Sequence, residues 1–332
     1  MPIAKREAVS RLLRFWPVGF ALRPVLHKRD LICLNYHRVI DSTPFDDGVI
    51  SASTAEFERQ LQWLRTHVPI LNEDEALRMI RGEADPGAPV AVITFDDGYA
   101  DNYAAACRMA ELGVPGIFFI ATGFIESGVL PYWDRIARSV KRAAGSAISF
   151  RVGDNVYQVR VGETQAVAAR NLIHAYRAVD ASQQELFLQA LEQAAGVQGD
   201  ADSGRDLFMT WEQLRQFRGM GHGIGAHTHS HPTLSALPVE EQLAEMKQSR
   251  DILRRQLGWA PRTLAYPVGT PAAFNSQSKA AAKEAGFEAA FSFYGGRNPR
   301  GATDIFDVRR LPVSPDISEA IFQTRITSGV PW

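Results

Sequence analysis

The chain has 332 residues, of which 45% are apolar and 22% charged, and its formal net charge is -1. Such a composition builds a sizeable buried core and excludes a disordered, fibrous or low-complexity chain. So small a net charge gives no general attraction to nucleic acid, so no nucleic-acid partner is expected, and the length suits one α/β barrel with an insertion as well as it suits two domains.

The N-terminal segment, residues 1–30, stands apart. Between Lys5 and Arg29 a basic start leads into a short apolar run, Phe15 to Leu22, and then into further basic residues. Pro17 interrupts that run, Arg23 closes it and no small-residue cleavage site follows, so it does not read as a secretion signal; it is also far too short to span a bilayer. Leucines and aromatics interleaved with Arg6, Arg11, Arg14 and Arg23 fit either a basic amphipathic arm on an anionic membrane surface or a helix packed on the body of the protein. The expected compartment is the cytoplasm, with peripheral contact to the inner membrane through residues 5–30. Cys33 in an apolar run and Cys107 on a helical pattern do not make a disulfide framework.

From Leu31 onward short apolar runs alternate with helical periodicity, the pattern of βα units around a mainly parallel sheet. Leu31 to His37 reads as the first strand, and Phe57, Leu61 and Leu64 share one face of a helix that Ser53 or Thr54 can cap. Val90 to Phe95 is apolar except for Thr94, as expected of a strand covered on both faces, and it ends in Asp96-Asp97-Gly98. A helix from about Asn102 to Leu112 stops at Gly113, and Ile117 to Ile120 is the next strand. The βα rhythm is then lost over about 131–207, where a basic helix, a strand-like pair and two further helical patterns predict an inserted cap. It resumes with a helix over Trp211 to Phe217, a strand Gly223 to Ala226 running into His227, a helix Val239 to Leu257, a strand Thr263 to Tyr266 and a helix Ser278 to Ala285. Ala289 to Phe293 and Phe306 to Val313 close the series, giving roughly seven or eight units. In such a barrel active residues belong at the carboxyl ends of the strands.

Two clusters stand at strand ends. Adjacent carboxylates such as Asp96 and Asp97 are costly to bury unless paired, hydrogen-bonded or bound to a cation. Neighbours on an extended chain point to opposite sides, but a strand that breaks at Gly98 can turn both toward one cavity. Taken alone, Asp97-Gly98 also reads as a plain turn with Asp96 as a helix cap. The second cluster, His227-Thr228-His229-Ser230-His231-Pro232, holds three of the eight histidines. Fully extended, it would separate His227 from His231 by about 13 Å, whereas two nitrogens on one zinc lie within about 4 Å, so the chain must curl after His227 for both to bind a single ion. An Asp-His-His set leaves coordination positions open for water and substrate.

With these two runs the chain resembles carbohydrate esterase family 4, the polysaccharide deacetylases built on the nodulation-protein-B homology domain. Thr-Phe-Asp-Asp-Gly and His-Thr-x-x-His are that family's first two motifs, in the right order. The resemblance covers about Leu31 to Val313 outside the insertion. It implies a deformed (β/α) barrel of about seven strands in a domain spanning 31–330, a divalent metal, with Zn2+ the first choice, and an N-acetylated glycan as substrate. It makes Asp96 the general base, and Asp97, His227 and His231 the metal ligands; Thr228 orients the second histidine and His229 is no ligand. Tyr99 either helps shape the substrate rim or packs in the core.

The later motifs depart from that pattern. Where many members have Arg-x-Pro-Tyr, this chain has Ala265-Tyr266-Pro267-Val268, so Tyr266 and Pro267 are expected beside substrate, and the oxyanion donor is the Val268 N–H, since Pro267 has none. Arg310 on the last strand is the candidate to replace the missing arginine and is grouped with the substrate-binding residues. The usual C-terminal Leu-x-His is absent. Instead Tyr36-His37-Arg38-Val39 resembles the rearranged order of poly-N-acetylglucosamine deacetylases, which makes His37 the candidate general acid. Tyr132, Trp133, Trp211, Arg135, Arg138, Lys141 and Arg142 are candidates for a cap over an acidic or phosphorylated glycan. The lack of a secretion signal points to a cytoplasmic substrate pool, such as a lipid-linked or nucleotide-linked precursor of an exopolysaccharide, capsule or lipopolysaccharide. An O-acetyl or other amide hydrolase of the same superfamily, or a non-catalytic sugar-binding module, are the competing readings.

Overall fold

The computed structural model describes residues 30–143, 147–160, 165–197 and 204–328. The basic arm of residues 1–30 lies outside this range but for Asp30, which opens the first strand. Seven parallel strands form a nearly closed barrel: β1 (Asp30–Tyr36), β2 (Val90–Phe95), β3 (Ile117–Ile120), β4 (Gly223–Ala226), β5 (Thr263–Ala265), β6 (Ala289–Phe291) and β7 (Arg310–Pro312). They lie side by side in chain order from β1 to β6, and β7 pairs with β1. The ring is completed where the Val308 N–H donates to Ala290 O and the Ser292 N–H to Val308 O, each at 2.9 Å.

The period of two along each strand divides the core. Leu31, Cys33, Val90, Val92, Ile117, Phe119, Ala265 and Phe291 form one cluster, drawn from strands all round the ring, and fill the barrel interior. The alternate residues, among them Leu34, Ile93, Phe95, Phe118 and Ile224, pack outward against helices. Helix α1 (Thr54–His67) begins at Ser53, whose side chain accepts from Glu56 N–H while Glu56 reaches back, and it buries Phe57, Leu61 and Leu64. Each such buried side chain contributes about 1.5–3 kcal/mol. Helix α2 (Glu73–Ile80), which the periodicity did not single out, carries the same kind of capping box from Asn72 and packs Leu77 and Ile80 onto the interior cluster. No helix among the described residues is long and apolar enough to cross a membrane.

Helices α3 (Asp101–Glu111) and α4 (Thr122–Ser127) follow β2 and β3. The stretch after α4 holds α5 (Tyr132–Arg142), an antiparallel hairpin of Ala147–Val152 with Asn155–Arg160, α6 (Gln165–Ala178) and α7 (Ala181–Ala194). These elements bury a cluster of their own, including Ile136, Phe150, Leu172 and Phe187. Helix α8 (Trp211–Gln216), α9 (Val239–Leu257), α10 (Ser276–Glu284) and α11 (Glu319–Ser328) complete the fold.

The strand expected over Phe306 to Val313 is broken. The Asn298 side chain accepts from Arg309 N–H and donates to Arg309 O, both at 2.8 Å, and so replaces the ladder partners at that position. On one side of Arg309, Val308 bridges to Phe291 of β6; on the other, β7 pairs with β1.

A candidate metal centre at the barrel mouth

The inward parity of the strands sets the site. On β1, Asn35 continues the interior series of Leu31 and Cys33, and His37 comes next in that series; on β2, Asp96 succeeds Thr94 in the same way. Asp96 is therefore delivered to the barrel axis without any turn. Asp97 would face outward, but its φ of 72° swings it back, and Gly98 follows at φ 88°. Both carboxylates end up 2% exposed.

The histidine loop curls by the same device. Thr228 takes φ 62° and His231 φ 59°, and Thr228 Oγ1 accepts the His231 N–H at 3.2 Å. The imidazoles of His227 and His231 are thereby brought to 4.8 Å between ring centres. Gly123 lies so close beneath that a Cβ there would stand 2.6 Å from His229 O, whose carbonyl instead accepts the Gly123 N–H at 2.8 Å. Glu245 of α9 holds the outer side, accepting from His229 N–H, Ser230 N–H and Ser230 Oγ at 2.9, 2.8 and 2.6 Å. His229 itself turns to Thr122 Oγ1.

Asp97 Oδ1 lies 3.5 Å from His227 Nε2 and 3.4 Å from His231 Nε2, and one ligand atom from each of the three residues falls within 4.8 Å of the others. That oxygen is buried without a hydrogen-bond partner among the described residues. Burial, the Asp96 carboxylate and Asp134 push the Asp97 pKa well above the usual range. Burial draws both imidazoles down, so they stand neutral, and His227 spends its Nδ1 on Ala265 O at 2.8 Å, leaving Nε2 for the cavity. An unpartnered buried carboxylate facing two neutral imidazole nitrogens is a donor set that a divalent cation satisfies.

Asp96 is held differently. Arg310 grips it bidentately at 2.6 and 2.9 Å, and Asn35 Nδ2 donates to Oδ2 at 2.8 Å. Burial alone would raise its pKa, but the Arg310 charge, with His227, overrides that and holds it below the usual carboxylate range. His37 Nε2 stands 4.0 Å from Asp96 Oδ2, and its pKa, pushed down by burial, is about 4. A cavity of about 330 Å³ opens above these groups, bordered also by Val268, Tyr266, Phe293 and, from outside the barrel, Trp133, Ile173, Arg177 and Asp46.

Residues 163–290 match the family model described as Polysaccharide deacetylase, a span that contains His227 and His231 but not Asp96 and Asp97. The Bacillus subtilis protein named "Putative polysaccharide deacetylase YxkH" is 21% identical over 274 residues, covering 82% of this chain and 69% of that one. Over these spans the chain is similar to polysaccharide deacetylases. These matches support a hydrolase of the carbohydrate deacetylase type. Two solved structures share its fold. IcaB from Ammonifex degensii aligns with a TM-score of 0.59 at 19% identity, covering 91% of this chain and 98% of its own. The Streptococcus pyogenes deacetylase PplD, solved with acetate, gives 0.58 at 18%, covering 89% and 97%.

Two expected substrate contacts are corrected. Arg310 is fully buried outside the cavity lining, with Nε donating to Ser292 O and Nη1 also to Thr94 Oγ1, so it positions Asp96 and does not face substrate. Tyr99 is also fully buried, donating to Asp134 Oδ2 at 2.9 Å and accepting from Trp133 Nε1 at 2.7 Å, so it anchors the start of α5 instead of shaping a rim. Tyr266 borders the cavity, but its hydroxyl is given to Phe306 O, and Pro267 is buried outside the cavity lining. Of the cap candidates only Trp133 reaches the cavity; it packs edge-on to His231 at 4.7 Å. Arg135 and Arg138 pair with Glu192, and Lys141 with Asp47. Asn35 had a signal, as an amide inside an apolar run. Glu245 had none, being an ordinary glutamate on a polar helix face.

Proposed function

We propose that the chain removes N-acetyl groups from amino sugars in a glycan, or glycan precursor, of cell-surface polysaccharide synthesis. The observation that carries this reading is the unpartnered Asp97 oxygen facing His227 and His231 beside an ionised, clamped Asp96. Asp97, His227 and His231 would hold the cation; two imidazole nitrogens and one carboxylate suit Zn2+ and leave positions open. Such an ion supplies Lewis-acid polarisation of the acetyl carbonyl and acidifies water.

The chain's own groups supply the rest. Asp96, ionised at neutral pH, accepts a proton from the attacking water as its oxygen bonds to the acetyl carbon. The oxyanion that forms accepts the Val268 N–H. This donor is aimed by the positive φ of 61° at Val268 and has no acceptor among the described residues. His37 is neutral in the resting site, so it delivers to the leaving nitrogen a proton first received from Asp96, 4.0 Å away. The carbon–nitrogen bond breaks, giving acetate and a free amine. In this reading the segment 131–207 is an insertion that caps the barrel domain of 31–330.

The test is acetate release from a panel of N-acetylated glycans by metal-reconstituted protein, with Asp96→Asn, His37→Ala and a chelated control. Release lost on chelation and in Asp96→Asn supports the reading. Stoichiometric metal without release from any substrate would favour a sugar-binding module, and release from O-acetyl esters alone would favour the esterase.

A further inference from the structure

The cap's contribution to the cavity is one face of α6. Arg170, Ile173 and Arg177 are spaced three and four residues apart, which aligns them on a single side of the helix. Ile173 and Arg177 line the cavity, and Arg170 lies near enough to the cavity-lining Asp46 to draw its carboxylate pKa down against the effect of burial. Three of the four basic residues of α5 are already spent: Arg135 lies 2.8 Å from Glu185 and 2.9 Å from Glu192, Arg138 3.3 Å from Glu192, and Lys141 2.9 Å from Asp47. Arg177 differs. Among the described residues no carboxylate lies within ion-pair reach of it. Its Nε donates to Tyr132 Oη at 2.8 Å, and Tyr132 is fixed by stacking on Tyr176 at 4.4 Å. One edge of the guanidinium is thus pinned, and the other presents its two terminal nitrogens in the fork that matches a phosphate or carboxylate.

We propose that Arg177, supported by Arg170, selects glycans that carry an anionic substituent beside the acetamido sugar. The inference deepens the deacetylase reading and rests on it for the reaction, though not for the binding. Asp46 makes no ion pair with Arg177; its Oδ1 accepts the Gly48 N–H at 2.8 Å, and the cations close enough to lower its pKa are Lys141 and Arg170. A charged hydrogen-bonded contact of this kind changes affinity by about tenfold to a hundredfold.

The experiment compares kcat/KM for acetate release from a neutral chitin oligomer, a phosphorylated chitin oligomer and a hyaluronan oligomer, which carries carboxylates. At least one anionic substrate is expected to exceed the neutral one by about tenfold or more, with the advantage shrinking in high salt. The phosphate and carboxylate arms identify which group is recognised. Arg177→Gln is expected to bring anionic and neutral substrates level through KM, leaving kcat largely intact, and Arg177→Lys to recover part of the preference. Equal values for all three substrates in the wild type would overturn the proposal while leaving the deacetylase reading standing. If no oligomer is turned over, that reading fails. Calorimetric titration of glucosamine against glucosamine 6-phosphate, in wild type and Arg177→Gln, then decides the binding claim: a phosphate preference lost in the variant supports it, and no preference overturns it.

Discussion

At the barrel mouth and in the segment above it, the chain handles charge and backbone in opposite ways. Asp97, Thr228, His231 and Val268 are the non-glycine residues with positive φ among the described residues; Asp97, His231 and Val268 border one cavity, and Thr228 forms the turn between its two histidines. Among the described residues of 132–197 positive φ is left to Gly153 and Gly196. Each strained position costs on the order of 1–3 kcal/mol, which the surrounding structure must over-determine. Charge follows the same division. At the mouth Arg310 and Asp96 are sealed from solvent, whereas in the cap Arg135 spans Glu185 and Glu192 with one carboxylate 60% exposed. Strained backbone is concentrated at the cavity, and the segment over 132–197, proposed as its cap, is held by an ordinary apolar core.

The largest effect that tests this contrast is expected at Arg310. Arg310→Met leaves the Asp96 carboxylate buried and unpaired, which costs about 3–5 kcal/mol. Urea unfolding would measure it, and the double variant Arg310→Met with Asp96→Asn should recover much of the loss. A cost below about 1 kcal/mol would mean that Asp96 has another partner or is protonated. Next comes Glu245→Gln, which weakens three hydrogen bonds to the histidine loop while leaving Thr228 in place. Outer partners of metal ligands are typically worth 10–100-fold in affinity, so zinc titration of the chelated protein should show a loss of about that size. An unchanged affinity would show that the Thr228 turn alone sets His231.

How far the molecule could be read from sequence follows the same boundary. Strands such as Val90–Phe95 and Ile117–Ile120 were legible because both faces are covered and the run is apolar throughout. The Asp-Asp and His-x-x-x-His runs showed themselves as chemistry, but their geometry did not, because positive φ at Asp97 and Thr228 is decided by neighbours distant in sequence. Thr122 and Gly123 after β3 fix the histidine loop from below, and Glu245 fixes it from above. Arg310 was found, yet in the wrong group, since nothing local distinguishes an arginine that touches substrate from one that seals a carboxylate. The cap's elements were visible as patterns, but which of its arginines faces the cavity depends on the ion pairs that occupy the rest.

A smaller effect is expected at Val268. A β-branched residue at φ 61° is strained, so Val268→Gly should relieve about 1 kcal/mol, offset in part by the greater freedom of glycine in the unfolded chain. The proposed oxyanion donor is the backbone N–H and survives the change. The expected outcome is unfolding free energy equal to or above wild type, with activity reduced because the donor is less rigidly aimed. A marked loss of stability would show that the isopropyl group packs, and that strain is not the reason for its conformation.

The smallest effect belongs to the cap. Arg135→Gln removes contacts to Glu185 and Glu192 that are screened by solvent on one side, so it should cost no more than about 1 kcal/mol and less in high salt. Glu192 is the more enclosed of the two partners, its side chain 16% exposed against 60% for Glu185, so most of the loss should come from that contact. If Arg135→Gln proved as damaging as Arg310→Met, the cap would be held by charge as tightly as the mouth, and its apolar cluster around Phe150, Leu172 and Phe187 would not be what keeps α6 over the cavity.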